Sequence, residues 1–205
     1  MILDIHTHRP APYPEGVVSL MDFETPLAEG QAYSIGIHPW DTAMPVSEES
    51  FVCLGELASR KEIVALGECG IDLLKGGPLY RQLQILKRQI ELSEELKKPM
   101  VLHCVKAVDI ILGLHRDLRP SQKWAIHGFR GKPETALQLT NRGIFLSFGE
   151  KFNPSSVMTI PGGMMLAETD ESVLTIDEII GSLSEAANRD VTAEIESNTA
   201  AFLGL

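Results

Sequence analysis

Cysteine, long apolar runs and positive charge are all scarce in this chain, and each scarcity removes a class of protein. The three cysteines, Cys53, Cys69 and Cys104, lack metal-type spacing and cannot all pair, which excludes a disulfide-built scaffold and fits a reducing compartment. No apolar run reaches membrane-spanning length, and the chain leads straight into a predicted strand carrying candidate ligands. Neither a membrane anchor nor a cleaved signal peptide is therefore expected, and the expected location is cytoplasmic. Eighteen basic side chains stand against 28 acidic ones, for a net charge of −10. That balance lacks the basic footprint of a protein that grips long duplex nucleic acid, although divalent ions bound among the acids would offset part of it. With 205 residues, 44% of them hydrophobic, the chain suits one domain over residues 1–205 with a sizeable core.

What the sequence does hold is a set of ligand-type residues at the ends of apolar runs. The opening stretch through Asp4-Ile5-His6-Thr7-His8 predicts a strand whose alternation puts His6 and His8 on one face together with Asp4. Glu68 follows Ile63-Val64-Ala65-Leu66, His103 follows Met100-Val101-Leu102, His127 follows Trp124-Ala125-Ile126, and Asp170 follows Met164-Met165-Leu166-Ala167. Five predicted strands thus end in His, Glu or Asp. In a parallel barrel such ends converge on one mouth, where the chemistry of that fold sits. Cys69 and Cys104 follow Glu68 and His103 directly, so alternation turns both thiols away from the mouth and gives them a packing role.

Along the chain, Pro10, Pro12 and Pro14 forbid a helix after the first strand. Val17 to Phe23 and Ala32 to Ile37 read as strands joined by linkers too short for the usual crossover helix, so the first third of the barrel is expected to be trimmed or irregular. The third strand leads into Gly36-Ile37-His38-Pro39-Trp40, which leaves His38 beside the mouth. Helices are predicted from Ser47, from Pro78 to Pro99, around Val108 to His115, from Pro133 to Gly143, after the capping box of Thr175 and Glu178, and around Ile195 to Leu203. Gly149 to Gly163 reads as a loop. Eight strands with helices after most of the later ones give a TIM-like (β/α)8 barrel near the lower length limit of that fold.

Four histidines and two carboxylates are too many ligands for one ion that keeps an open position, and they suit two. Glu68 is the natural bridge, because one carboxylate has two oxygens. His6, His8 and Asp170 would complete one ion, and His103 and His127 the other. An imidazole-rich set favours transition-type ions over calcium, with zinc, manganese or magnesium as the expected pair of divalent ions.

The ordered motifs Asp4-Ile5-His6-Thr7-His8, Gly36-Ile37-His38-Pro39, Gly67-Glu68-Cys69-Gly70-Ile71-Asp72, Val101-Leu102-His103, His127-Gly128-Phe129-Arg130-Gly131 and Glu168-Thr169-Asp170, with Asn198 and Phe202 near the end, resemble the TatD family of metal-dependent deoxyribonucleases. The resemblance covers essentially the whole chain. It implies a TIM-type fold, a two-metal centre and hydrolysis of phosphodiesters, often of DNA from a 3′ end, with Glu68 and Asp170 as the catalytic carboxylates. Departures bear on substrate rather than metal: Val105 and Lys106 stand where the family usually has an arginine, Leu73 replaces a frequent aromatic, Ser172 a frequent proline, and the stretch from His8 to Gly36 is short. His38, Arg9, Lys106 and Arg130, with Lys132 and Lys151, are the expected groups for seating phosphates of a DNA end or small phosphodiester. No membrane and no obligate protein partner are expected. The alternatives are an amidohydrolase or lactonase, which on such barrels often bridges its ions with a modified lysine where Glu68 stands, and a non-catalytic interaction protein that keeps the barrel.

Overall fold

The computed structural model describes residues 2–205; Met1, included in the predicted first strand, lies outside them. Eight parallel strands close into a barrel in chain order: β1 (Asp4–Thr7), β2 (Gly16–Leu20), β3 (Ala32–Ile35), β4 (Ile63–Asp72), β5 (Met100–Val105), β6 (Trp124–Ile126), β7 (Phe145–Phe148) and β8 (Met165–Ala167). Asp4 of β1 pairs with Ala167 of β8 and shuts the ring. Around it lie α1 (Glu48–Ala58), α2 (Leu79–Leu96), α3 (Val108–Leu118), α4 (Pro133–Thr140), α5 (Pro154–Thr159), α6 (Ile176–Ala187) and α7 (Thr192–Leu203). The TIM-like barrel is the fold, and its first third is trimmed as expected: β1, β2 and β3 pair in parallel with no helix between them. Among the described residues, no helix is long and apolar enough to cross a membrane.

Local chemistry sets the helix ends. Ser47 accepts the Ser50 amide at 3.1 Å at the start of α1, and Thr175 and Glu178 form the reciprocal capping box of α6. α2 ends at Lys97, in the left-handed region at φ 55, two residues before Pro99. The expected loop from Gly149 to Gly163 is corrected, because it contains α5. Asn153 caps Ser155, Pro154 presets the first turn, and Ser156 Oγ donates to the Gly131 carbonyl at 2.7 Å. One short turned segment of this kind carries too little periodicity to stand out from a loop.

The barrel interior is a cluster with one residue from each of seven strands: Ile5, Val17, Ala65, Val101, Ala125, Phe145 and Leu166. Phe202 and Leu203 of α7 join it, with the Phe202 ring 5.5 Å from that of Phe145 at the start of β7. Above this layer, Val101 to His103, Ala125 to His127, and Leu166 to Glu168 to Asp170 keep the two-residue alternation, so His103, His127 and Asp170 rise from the core toward the mouth.

β1 and β4 break the alternation. Between the pairs Asp4↔Gly16 and Thr7↔Val18, β1 advances three positions while β2 advances two; between Leu66↔Met100 and Cys69↔Leu102, β4 gains one residue on β5 in the same way. Each extra residue reverses which face the following side chains take. Ile5 and His6 both turn inward, and Ala65 and Glu68 both turn inward. Gly67 makes the second bulge possible: it has φ 148, and a Cβ there would lie 2.4 Å from the Val101 carbonyl oxygen.

Candidate metal centre

The bulge in β1 corrects one expectation, since Asp4 does not share a face with His6 and His8. Its carboxylate accepts from the Thr169 amide at 3.0 Å and the Thr169 hydroxyl at 2.6 Å, and Thr169 in turn meets the Thr7 hydroxyl at 2.7 Å. Burial pushes the Asp4 carboxyl up to about 7 against these bonds. Asp4 is a latch between β1 and β8 on the side opposite the histidines.

Glu68 stands at the centre of the mouth with each oxygen facing a different set of groups. Oε2 lies 3.3 Å from His6 Nε2 and 3.7 Å from His8 Nε2. Oε1 lies 2.5 Å from His103 Nδ1, 2.7 Å from His127 Nε2 and 3.0 Å from His38 Nε2. Burial opposes the charge on Glu68, but His127, His103 and His38 hold its carboxyl far below the usual carboxylate range. Asp170 Oδ1 completes the first side, 3.8 Å from His6 Nε2 and 3.6 Å from His8 Nε2. Its backbone sits at φ 51 and is tied to β1 at both ends, the Asp170 amide donating to the His6 carbonyl and the His8 amide to the Asp170 carbonyl, each at 3.0 Å. All six residues expected as ligands therefore meet in one place.

The donor set fits divalent metal. His6, His8 and Glu68 form one group whose ligand atoms lie within 4.8 Å of one another, and His6, His127 and Asp170 form another. Both ring nitrogens of the buried His6 lack a hydrogen-bond partner. An unpartnered buried polar atom costs about 1 to 3 kcal/mol, a cost that ligation of an ion would remove at the nitrogen facing the mouth. A third group joins His38 to Glu68 and His103. His38 Nδ1, however, accepts the Trp40 amide at 3.2 Å, so its neutral ring carries the proton on Nε2 and donates to Glu68 Oε1. His38 sits at the mouth as a donor, which is compatible with the substrate contact expected of it.

Carboxylates behind two of the histidines were missing from the sequence-derived roles. His103 Nε2 faces Asp72 Oδ2 at 3.1 Å, and His127 Nδ1 faces Glu168 Oε1 at 3.5 Å. Such outer carboxylates fix the tautomer and orientation of ligating imidazoles. Glu168 also accepts the Gly128 amide at 2.6 Å. Asp72 is held by the buried Gln82, whose Oε1 accepts the Asp72 amide at 2.8 Å and whose amide donates to the Asp72 carbonyl at 2.9 Å. Gln89, about two turns further along the same face of α2, grips both the amide and carbonyl of Ile37 next to His38. Glutamines set in the Leu83, Leu86 and Ile90 stripe of α2 were the sequence signal for this support, since a polar group in a core stripe requires a buried partner.

The basic groups divide. Arg9 is corrected: its guanidinium donates to the Ser172 carbonyl at 3.2 Å and to the Leu174 carbonyl, and packs 5.5 Å from the Tyr13 ring, strapping the end of β1 to the loop after β8. Lys106 is exposed just after β5. Arg130 and Lys151 line a polar cleft of about 210 Å³ that includes Asp170, while Lys132 is exposed at the start of α4. Cys69 is fully buried and Cys104 half-buried, both against the core cluster that includes helix residues, and burial raises both thiols, Cys104 to about 11.

Residues 21–193 match the family described as TatD related DNase. The chain belongs to that family. His6 and His8 precede the matched span, so their position opposite Glu68 rests on the geometry of β1. Among curated relatives, the Bacillus subtilis protein named uncharacterized metal-dependent hydrolase YabD is 29% identical over 170 residues, covering 78% of this chain and 66% of its own length. The Salmonella typhimurium 3′-5′ ssDNA/RNA exonuclease TatD is 30% identical over 115 residues, 54% of this chain and 43% of its own. The chain thus spans less than two thirds of the length of these relatives. The Escherichia coli TatD homolog YJJV has the same fold, with a TM-score of 0.82 at 18% identity over 100% of this chain and 98% of the other.

Proposed function

We propose that this TatD-family chain is a metal-dependent phosphodiesterase that trims single-stranded nucleic acid from a 3′ end with two divalent ions, zinc, manganese or magnesium. The observation that carries the reading is the split of Glu68, with one oxygen toward His6 and His8 and the other toward His103 and His127. On this reading His6, His8 and Asp170 hold one ion, His103 and His127 the other, and Glu68 both. Bound divalent ions supply acidity to an attacking water and neutralise charge on the phosphoryl oxygens.

The protein's own groups do the rest. The Asp170 side chain is 28% exposed against 10% for Glu68, which makes Asp170 the carboxylate within reach of water and the group that orients it and accepts its proton. His38 donates toward the same centre, and Arg130, Lys151 and Lys106 seat flanking phosphates. Few cations surround them in a chain of net charge −10, which supports strand ends over duplex as substrate. The name of the Salmonella relative supports the same substrate class. The three free cysteines support action in the cytoplasm.

The test is an assay of metal-stripped protein reloaded with each of the three metals, on 3′-labelled single-stranded DNA, RNA, duplex DNA, a small phosphodiester and a set of lactones. Shortening of single strands from the 3′ end ahead of duplex is expected. Two bound ions without hydrolysis of any phosphodiester would overturn the proposal, and turnover confined to lactones would move the chain to the amidohydrolase type.

A further inference from the structure

The indole of Trp40 reaches the centre through Asp72. Its Nε1–H donates to Asp72 Oδ2 at 2.7 Å, the same oxygen that faces His103 Nε2 at 3.1 Å. Asp72 Oδ1 accepts the Leu74 and Lys75 amides at 2.8 and 3.1 Å. Three of the contacts on this carboxylate are N–H donors that cannot accept, so the fourth, His103 Nε2, is set as a donor too. A His103 proton is thereby held on Nε2, while Nδ1, 2.5 Å from Glu68 Oε1, is the position that a bound ion would take from a proton.

The ring of Trp40 also has fixed neighbours. It meets His38 edge to face at 4.8 Å and His103 at 5.8 Å, with Lys75 Nζ 4.0 Å from its centroid. The side chain nonetheless remains 45% exposed. A large apolar ring left half in water at the mouth, its one polar atom bonded inward, is poorly explained by packing alone.

We propose that Trp40 is a positioning residue for the ion held by His103, acting through Asp72 to fix the orientation and tautomer of that imidazole. The inference rests on the two-ion reading above. Trp40→Phe keeps most of the ring surface against His38 and His103 and removes only the N–H; Trp40→Ala removes both. A role in packing alone leaves Phe neutral and Ala damaged, whereas the positioning role makes Phe itself defective.

The experiment is calorimetric titration of the metal-free full chain with zinc alone, for wild type and both variants. Trp40→Phe is expected to bind one ion about 10- to 100-fold more weakly than wild type, as loss of an outer hydrogen bond does at other metal centres, with the other ion unchanged. Wild-type affinity for both ions in Trp40→Phe overturns the inference. Nitrogen NMR of labelled histidine in the metal-free proteins provides a readout independent of ion number. Wild type is expected to protect the His103 Nε2 proton from exchange with water and Trp40→Phe to lose that protection; unchanged exchange overturns the inference. A wild type that takes up a single ion sinks the two-ion reading, and exchange of the His103 Nε2 proton then decides the role of Trp40. Should the Phe variant not fold, tryptophan fluorescence of wild type decides it, since the other tryptophan, Trp124, is fully buried against His115. Zinc uptake that leaves the Trp40 emission unchanged overturns the inference.

Discussion

Replacing Glu68 with Ala tests the centre at the point both halves share. In the structure Oε1 serves three imidazoles between 2.5 and 3.0 Å and Oε2 serves two at 3.3 and 3.7 Å, so truncation takes a ligand from both proposed ions at once. Loss of an outer support costs about 10- to 100-fold in metal affinity, and loss of a direct ligand is expected to exceed about 100-fold for each ion. At a free metal concentration about 100 times Kd, each ion stabilises the wild type by about 2.7 kcal/mol, so two give about 5.4 kcal/mol. A chain of this size converts that to a rise in Tm of roughly 10 to 20 °C. At the same metal concentration a 100-fold weaker site retains only about 0.4 kcal/mol, which makes the rise nearly vanish. Elemental analysis after dialysis against zinc, paired with melting curves with and without metal, reads both quantities. A Glu68→Ala protein with two ions per chain and an undiminished rise in Tm would refute the bridge.

Asp170→Asn keeps the size of the side chain and removes its basicity, so hydrolysis of a small phosphodiester at saturating metal is expected to fall by about 10² to 10⁴ while the ion held by His103 and His127 stays bound; equal rates would remove Asp170 from the chemistry. Phe202→Ala empties space between α7 and Phe145 in the barrel interior, and denaturant unfolding of the metal-free protein is expected to show a loss of about 3 to 5 kcal/mol. Arg9→Ala removes charge-assisted bonds to the loop after β8, and about 1.5 to 3 kcal/mol of stability is expected to go with the first of them, with KM for a small phosphodiester unchanged; a raised KM at unchanged stability would restore Arg9 to the substrate.

The candidate ligands were legible because residue type and strand ends selected them, and because β5, β6 and β8 keep a strict alternation from the core to the mouth. Val101 and His103, Ala125 and His127, Leu166 and Asp170 obey the rule on which the reading relied. β1 and β4 do not. Alternation alone would carry Ala65 inward to Gly67 and Cys69 and turn Glu68 outward, away from every histidine. One extra residue in each strand reverses this, and that residue is invisible to hydrophobic pattern because Ile5 and Leu66 are apolar on either face. The same reversal misplaced Asp4, which alternation put on the face of His6 and His8 and whose carboxylate is instead bonded to Thr169 next to β8.

The supporting shell was less legible for a different reason. Asp72 and Glu168 were visible as motif residues, but their roles depend on which imidazole nitrogen they face, a distance across strands that local spacing does not encode. Gln82 and Gln89 carry the requirement further out: each pairs with the amide and carbonyl of one residue, Asp72 at the end of β4 and Ile37 just after β3, so the long α2 holds the segments bearing Asp72 and His38 by their backbones. An apolar residue at either position would leave two buried backbone groups unpaired, at about 1 to 3 kcal/mol each, and would free the segment that aims the ligand. Precision at the metal centre therefore begins in the helix layer. β4, which carries Glu68 and Asp72, is accordingly followed by the longest helix in the fold, whereas β1, with no helix behind it, is held at His6 and His8 by their backbone bonds to Asp170.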